Sequence, residues 1–577
     1  MLGLHVLDLF MICVYFLLVI GIGTVATRRI KNKEDFFLGG RKFGKLVSIF
    51  LSFGVGTSSD TAISASRETF RLGMSGIWVQ LLWLFATPFY WIIAPWYRRL
   101  RIMTGGDYFQ ERFHSRLLTG LYVGFGLLWL MFYIAIGMTA IGKTVEIVTN
   151  SSVTSQTAVP VIALVIIIYG VLGGLFAAAW TDTLQGILIL VLSIILLPAG
   201  LAKIQWFSGL HESLPDNMFK IIGSIEHSEY TWYYIIALIV MNLVGVVVQP
   251  HIFATGGGSA RDEKTARVGL VFGNFLKRFT TIMWGFTGIV ALALYGDRVT
   301  DPDMIWGYAT RQLLGPGFVG LMIACLLAAA MSSADAFMVC GSALFTRNFF
   351  EPLFPNRPET LYVLVARIIS VIMVFGAVAL SLYFNNILSL IKYIWQLPVI
   401  FGAVFWSSIL WRRITKGAAL VTVCYSWLMI VFLPNILPPL DWTSVNSPYV
   451  HIFHVLDMMQ NSSDSVLMTI TYSLDVLVPF LLLILTSLLT QPEEKEKLDY
   501  LYAKFHTRVT SDPEEDKKQV MDSLENPDRF DRQKWIKHPD WEMLKPTPTV
   551  FFGFIGCFVI AIMVLGFAFL IANLQFP

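Results

Sequence analysis

Between Ala328 and Ala336 the chain sets Ser332, Ser333 and Asp335 inside a long apolar stretch. A carboxylate at the centre of a membrane helix costs about 2.5–3.5 kcal/mol on insertion scales, and such groups face a bundle interior, a water-filled cavity or an ion path. Two adjacent hydroxyls and a carboxylate are hard oxygen donors, so the chemistry they suggest is cation binding. A second polar interruption falls at Gly54, Gly56, Thr57, Ser58, Ser59, Asp60, Thr61 and Ser64. So many breakers and hydroxyls at mid-depth predict a broken helix, whose unwound backbone offers carbonyl oxygens to a cation and whose half-helix ends face a solute. The same small residues would also suit a close helix-packing face.

The elements that must position these groups are membrane helices. Of the 577 residues, 56% are hydrophobic and 14% charged, and mean hydropathy is +0.66, whereas a soluble domain carries nearer a quarter charged. Stretches of about 20 apolar residues, each enough to cross a bilayer core, recur near 7–26, 46–66, 74–97, 117–146, 158–179, 182–202, 231–254, 268–296, 316–345, 363–385, 388–411, 417–437, 466–490 and 548–573. The expectation is an all-α polytopic protein of about fourteen spans. The first stretch is longer than a signal-peptide core and runs into Arg28, Arg29, Lys31 and Lys33, so it is expected to remain as a span. Those cations put its far end in the cytoplasm and the amino terminus outside. Alternation then brings Arg98, Arg99, Arg101, the loop Arg261 to Arg267, Arg347, Arg412, Arg413 and Lys416 to one side. The sequons at Asn150 and Asn461 fall on the other, and both termini are expected outside a plasma or inner membrane.

The remaining features are quieter. The net charge of +3 implies no nucleic acid, and Cys13, Cys325, Cys340, Cys424 and Cys557 all lie in apolar segments, as small buried residues rather than disulfides or metal ligands. The polar stretch 491–547 is read as a partly helical cytoplasmic segment with a regulatory or docking role. Gly256 to Ser259 lacks the Gly-Lys-Ser/Thr ending of a phosphate loop and reads as a turn. No nucleophilic triad or His/Cys cluster is recognisable, so no enzyme is proposed.

Four stretches in order resemble the sodium:solute symporter family, whose members carry sugars, proline, pantothenate, sialic acid and choline. They are Asp35 to Arg41, Tyr169 to Leu175 running into Trp180 to Gln185, Ala328 to Asn348, and Arg261 to Lys277. The resemblance covers about residues 5–490 and implies a LeuT-type core of two inverted five-helix repeats. That gives a layout of 1–45, a transport core over 46–437, an outer loop with an extra span over 438–490, the 491–547 segment, and a last span over 548–577. Broken helices at the second and seventh spans would meet near the midplane; the seventh carries Asn242, Gly245, Gln249, Pro250 and His251.

Carried over residue by residue, the family's main sodium site implies Val55 and Ser58 on one side and Ala329, Ser332 and Ser333 on the other. A second cation site in some relatives implies Asp182 with Ser332, and here Asp335 stands where a hydroxyl is common. Asp335 could join that site, carry a proton, or pair with a lysine. The solute site transfers less well: the polar pair and aromatic gate of the sugar carriers are missing at Thr61, Ala62 and Gly245, although Asn242 and Lys277 match. Thr57, Asp60, Thr61, Asn242, Lys277, Trp395 and Gln396 are the candidate solute contacts. Lys277 could meet a solute carboxylate or snorkel to the surface.

The expectation is a sodium-coupled secondary symporter importing a small organic solute by alternating access, with one or two Na+ as the coupling ion. A carboxylate or amino acid is weakly favoured, and Asp60 leaves an organic cation open. Its partners would be the solute and the bilayer, with no obligate protein partner evident. The alternatives are a solute sensor of transporter-like build, a symporter for an organic cation or sugar, and an uncoupled channel.

Overall fold

The structure, a computed structural model, describes residues 3–27, 43–384, 386–459, 462–510 and 512–575, with side chains for all of these except 23–27, 169–180, 191–193, 256 and 527. The basic loop at 28–33, the Asp35 to Arg41 motif and Asn461 therefore lie outside the described residues. Ten helical stretches among the described residues are long and apolar enough to cross a membrane, and four shorter apolar helices accompany them. No strand occurs among the described residues, where pairing is limited to isolated bridges such as Trp411 with Trp541. The principal helices are α1 (Val6–Thr27), α2 (Lys45–Gly56), α3 (Ser59–Leu72), α4 (Tyr90–Leu100), α5 (Gly105–Phe113), α6 (Arg116–Val148), α7 (Ser155–Leu201), α8 (Trp232–Gly245) and α9 (Glu263–Tyr295). They continue as α10 (Phe318–Phe345), α11 (Glu359–Phe384), α12 (Ile387–Gln396), α13 (Val399–Leu410), α14 (Lys416–Trp427), α15 (Asp464–Leu489), α16 (Lys495–His506), α17 (Pro513–Glu525) and α18 (Pro548–Ala572).

Two of the expected spans differ, and a third carries a proline-marked joint. Those at 158–179 and 182–202 join in the single helix α7, because no proline or left-handed residue interrupts the backbone between them. The expected span at 388–411 is present as Ile387–Leu410, divided at Leu397 and Pro398 into α12 and α13. Proline has no N–H to give the carbonyl four residues back, and its ring crowds that turn. The freed carbonyl, Ile394 O, takes a hydrogen bond from Trp129 Nε1 at 3.0 Å.

The expected interruptions in the second and seventh spans are present. Thr57 and Ser58 leave helical geometry between α2 and α3, and Gln249 does so beyond α8. An interrupted helix in hydrocarbon strands backbone carbonyls that must find donors inside the protein. Tyr97 Oη donates to Val247 O at 3.0 Å and Tyr122 Oη to Val248 O at 2.7 Å. At the first break Ser333 Oγ donates to Val55 O at 3.2 Å, and Lys277 Nζ donates to Gly56 O.

Helix α9 carries both halves of the first broken helix. Its i, i+4 ridge runs Gly269, Gly273, Lys277, Thr281, Gly285, and Gly288 follows. A Cβ at Gly269 or Gly273 would lie 2.5–2.6 Å from Ser48 or Ile49 of α2, and one at Gly288 would lie 2.1 Å from Thr69 of α3. Thr69 Oγ1 donates to Gly285 O at 2.7 Å and Ser66 Oγ to Trp284 O at 2.7 Å. Small residues thus let backbones touch at both ends of the ridge, while the one long side chain, Lys277, falls opposite the gap. At the far end of the bundle, Asp8 of α1 accepts from Gly317 N at 2.7 Å and Gly320 N at 2.8 Å, pinning α1 to the start of α10.

The segment 491–547 packs against the arginine-bearing end of the bundle. Arg101 binds both carboxylate oxygens of Asp516 at 2.6 and 2.7 Å, Arg412 reaches Asp499 at 2.5 Å and Glu542, and Lys504 pairs with Glu111 of α5. Tyr502 Oη donates to Ser408 O at 2.6 Å. His506, only 4% exposed at its side chain, donates to Glu542 O at 3.0 Å. Burial, together with Lys534 and Arg412, pulls its imidazole down to about 3 from the ordinary 6.5. The hydrogen bond to Glu542 O acts the other way, and the Glu542 carboxylate 3.4 Å away is shared with Arg412 and Lys534. A histidine kept neutral in the docked state weakens docking as pH falls: its contribution is complete above about 6.5 and is lost progressively towards about 3. Between pH 7 and pH 5 limited proteolysis of 491–547 should therefore accelerate in the wild type, approaching tenfold per pH unit below 6.5, and should change far less in His506→Gln.

Candidate ion and solute site

The first break sits between α10, α7, α6 and α9. Ser333 of α10 bridges Val55 O at 3.2 Å and Gly54 O at 3.3 Å, so Val55 and Ser333 lie together. A Cβ on Gly54 would fall 2.8 Å from Ser332 Oγ and 3.4 Å from Asp182 Cβ, so Ser332 and Asp182 converge on this one glycine. Ser58 caps the start of α3 against α6, where a Cβ on Gly137 would lie 2.8 Å from its Oγ, and Ser59 Oγ donates to Gly137 O at 3.0 Å. Ala329 is one turn before Ser333 on α10, and a Cβ on Gly137 would also meet Ala330 at 3.8 Å. Val55, Ser58, Ser332 and Ser333, four of the five residues expected for the main site, therefore lie at this break.

A second group lies beside it. Both carboxylate oxygens of Asp182, Ser332 Oγ, Asp335 Oδ1 and Gln185 Oε1 are buried without a hydrogen-bond partner. Asp182 and Asp335 interact electrostatically with each other, and both interact with Tyr15 of α1, whose hydroxyl accepts from Gln185 Nε2 at 2.8 Å. No lysine or arginine pairs with either aspartate among the described residues. A donor set of hard oxygens with two carboxylates and no cation fits a hard cation. The pairing of Asp335 with a lysine, one of the three expectations, is not seen among the described residues, and one intramembrane lysine is directed elsewhere.

That lysine is Lys277. It does not snorkel: its ammonium donates to Gly56 O and it interacts electrostatically with Asp60 in the first turn of α3. Each charge sits at the helix end that favours it, the ammonium at the carbonyl end of α2 and the carboxylate at the N–H end of α3. Thr57 Oγ1, Asp60 Oδ1, Asn242 Oδ1, Gln249 Nε2 and His251 Nδ1 are buried without hydrogen-bond partners. His251 stacks on Trp129 at 5.4 Å, so it belongs to an aromatic wall that includes Tyr133 and Phe337. Thr61 is buried beside Asp60, and Ser64 Oγ donates to its carbonyl at 3.3 Å. Trp395 is buried in α12. Gln396, expected as a solute contact, instead donates to Asp475 of α15 at 3.4 Å, because the helix phase that buries Trp395 turns the next residue outward.

Several residues here escaped the sequence reading. Gln185 had a usable signal, being three residues after Asp182 on the same helical face, whereas nothing about Tyr15 or Gly137 in sequence points to this site. Two motifs also gain a structural reason. Asn348 donates to Asp107 Oδ1 at 2.8 Å and ties the end of α10 to the capping box of α5, and Asp262 caps α9 by accepting from Thr265 N at 2.7 Å.

The family model described as the sodium:solute symporter family matches residues 36–425. The sodium/proline symporter of Salmonella typhimurium is 28% identical over 450 residues, covering 72% of this chain and 88% of its own length. The high-affinity proline transporter PutP of Bacillus subtilis is 26% identical over 443 residues, covering 72% of this chain and 89% of its own. A solved sodium-coupled sialic acid symporter in a substrate-bound outward-open state superposes with a TM-score of 0.69 at 17% identity, over 85% of this chain and 99% of that one, which shows a shared fold. With a multi-pass helical build, a broken helix facing buried oxygen donors, and a family match over most of its length, the chain belongs to the sodium:solute symporter family.

Proposed function

We propose that this protein is a sodium-coupled secondary symporter that imports a small organic solute by alternating access. The observation that carries the reading is the approach of Ser333 Oγ to Val55 O at 3.2 Å across the break, which places a hydroxyl beside the kind of unwound carbonyl a hard cation uses. Val55, Ser58, Ala329, Ser332 and Ser333 hold the first sodium. Asp182 and Ser332, with Asp335, hold a second cation. Thr57, Asp60, Thr61, Asn242, Lys277 and Trp395 are the solute contacts, with a carboxylate or amino acid favoured by the ammonium of Lys277. The proline carriers among the relatives favour an amino acid as well. The core is a ten-helix inverted repeat over 46–437, oriented with the arginine-bearing end in the cytoplasm.

One charge crossing about 100 mV is worth about 2.3 kcal/mol, and a tenfold sodium gradient adds about 1.4 kcal/mol. One sodium therefore supports a few-hundredfold accumulation of a neutral solute, and two would square that.

In reconstituted vesicles an imposed sodium gradient should drive uptake of at least one member of a panel of amino acids, carboxylates, organic cations and sugars; uptake of every member that ignores sodium would overturn the reading. Replacing Ser332 and Ser333 together by Ala should raise the sodium concentration needed for half-maximal thermal stabilisation tenfold or more, about 1.4 kcal/mol. Gly54→Ala should weaken the same stabilisation, because its Cβ would land 2.8 Å from Ser332 Oγ. Unchanged sodium dependence in both variants would mean that sodium binds elsewhere.

A further inference from the structure

A carboxyl that the ion and solute sites do not use lies at mid-depth on α15, outside the proposed transport core. Asp475 is 3% exposed, and it falls near the middle of the Asp464–Leu489 helix. Intramembrane acids are retained for a reason, usually a cation path or a proton. Its hydrogen-bond partner is the amide of Gln396 at 3.4 Å. Gln396 is the last residue of α12, immediately before the Leu397 and Pro398 elbow. That elbow seats on the end of α8, where a Cβ on Gly245 would lie 2.8 Å from Pro398, and Trp406 Nε1 of α13 donates to Leu243 O at 3.2 Å. The carboxyl therefore touches the joint between the interrupted helix α12–α13 and the second broken helix.

The groups facing Asp475 are neutral. From α8 comes Tyr234, which stacks on Tyr472 of α15 at 5.9 Å. From α14 and the short helix Pro448–Val455 come Tyr425 and Tyr449, whose hydroxyls share a hydrogen bond of 2.9 Å and which interact electrostatically with Asp475. Helix α13 has no titratable residue. On α12 the nearest cation is Lys392, one turn before Gln396, and its electrostatic partners are Glu229, Arg71, Asp464 and Arg67 rather than Asp475. Thr471, one turn before Asp475, has a buried hydroxyl without a hydrogen-bond partner. An ionised carboxylate in such a seam would be an unpaired buried charge, which is costly.

We infer that Asp475 is a proton-binding site which, through Gln396, couples protonation to the position of the α12–α13 elbow. In the closed seam the acid is neutral and its Oδ2 accepts from the Gln396 amide. When the seam opens to water the acid ionises and releases its proton, so opening is favoured at higher pH, by up to about tenfold in the opening constant per pH unit. Asp475 is a positioning residue, and this inference stands apart from the sodium reading, so its test needs no solute.

The test uses the full chain in lipid nanodiscs, with infrared titration and hydrogen exchange corrected for the intrinsic pH effect. The wild type should show a protonated carboxyl band at neutral pH that Asp475→Asn lacks. Exchange of residues 387–410 should rise with pH in the wild type and stay flat in Asp475→Asn, whose amide is permanently neutral and nearly the same shape. Gln396→Leu, which keeps the acid but cuts the link, should retain the band and lose the pH dependence at 387–410. The inference is overturned if the band is the same in wild type and Asp475→Asn, or if 387–410 exchange responds to pH equally in all three proteins.

Discussion

Breaking a helix inside hydrocarbon leaves backbone carbonyls with no partner along the chain, and this molecule is organised around supplying donors to them. Trp129 answers the carbonyl freed by Pro398, Tyr97 and Tyr122 answer Val247 and Val248, and Ser333 and Lys277 answer Val55 and Gly56. The donors at the second break and at the elbow are bulky aromatics locked in the core. Those at the first break are a hydroxyl and an ammonium, groups that exchange partners with little rearrangement. The difference sets the first break apart, since its carbonyls are met by a hydroxyl and an ammonium rather than by buried aromatic side chains.

Charge follows the same division. On the side of the break facing α7 and α10 lie carboxylates with no basic partner among the described residues, and on the side facing α9 a lysine and an aspartate offset each other across the helix ends. In a medium where an unpaired charge costs several kcal/mol, the two sides of the break therefore differ in electrostatic character, one carrying buried acids and the other an opposed ammonium and carboxylate. Both depend on the glycine ridge of α9. It brings α2 and α3 into backbone contact at each end and leaves room opposite Lys277 alone.

The arginines that mark one end of the bundle are not merely a topological signal. Arg101 and Arg412 spend their guanidinium groups on carboxylates of the 491–547 segment, so the residues that bias insertion also hold a polar segment against the membrane domain. The segment is too small to bury a strong core of its own, and its order derives from these pairs and from the aromatic contacts around Tyr502 and His506.

What the sequence determined by itself was whatever follows from local composition. Apolar length specifies spans, breakers at 54–64 and 249–250 specify interruptions, and the run Ala328 to Ala336 specifies oxygen donors on one helix. Pro398 carried the same kind of signal, yet 388–411 read as one span and its division into α12 and α13 came only with the structure. The tertiary structure alone decided which of these groups meet. It turned Lys277 inward, sent Gln396 to Asp475, left Asp335 without a lysine among the described residues, and brought Tyr15 beside Gln185 and Asp182. Those outcomes depend on the relative rotation of helices far apart in the chain. Rotation is set by where small residues allow backbones to touch, a property of pairs of helices that no single stretch of sequence contains.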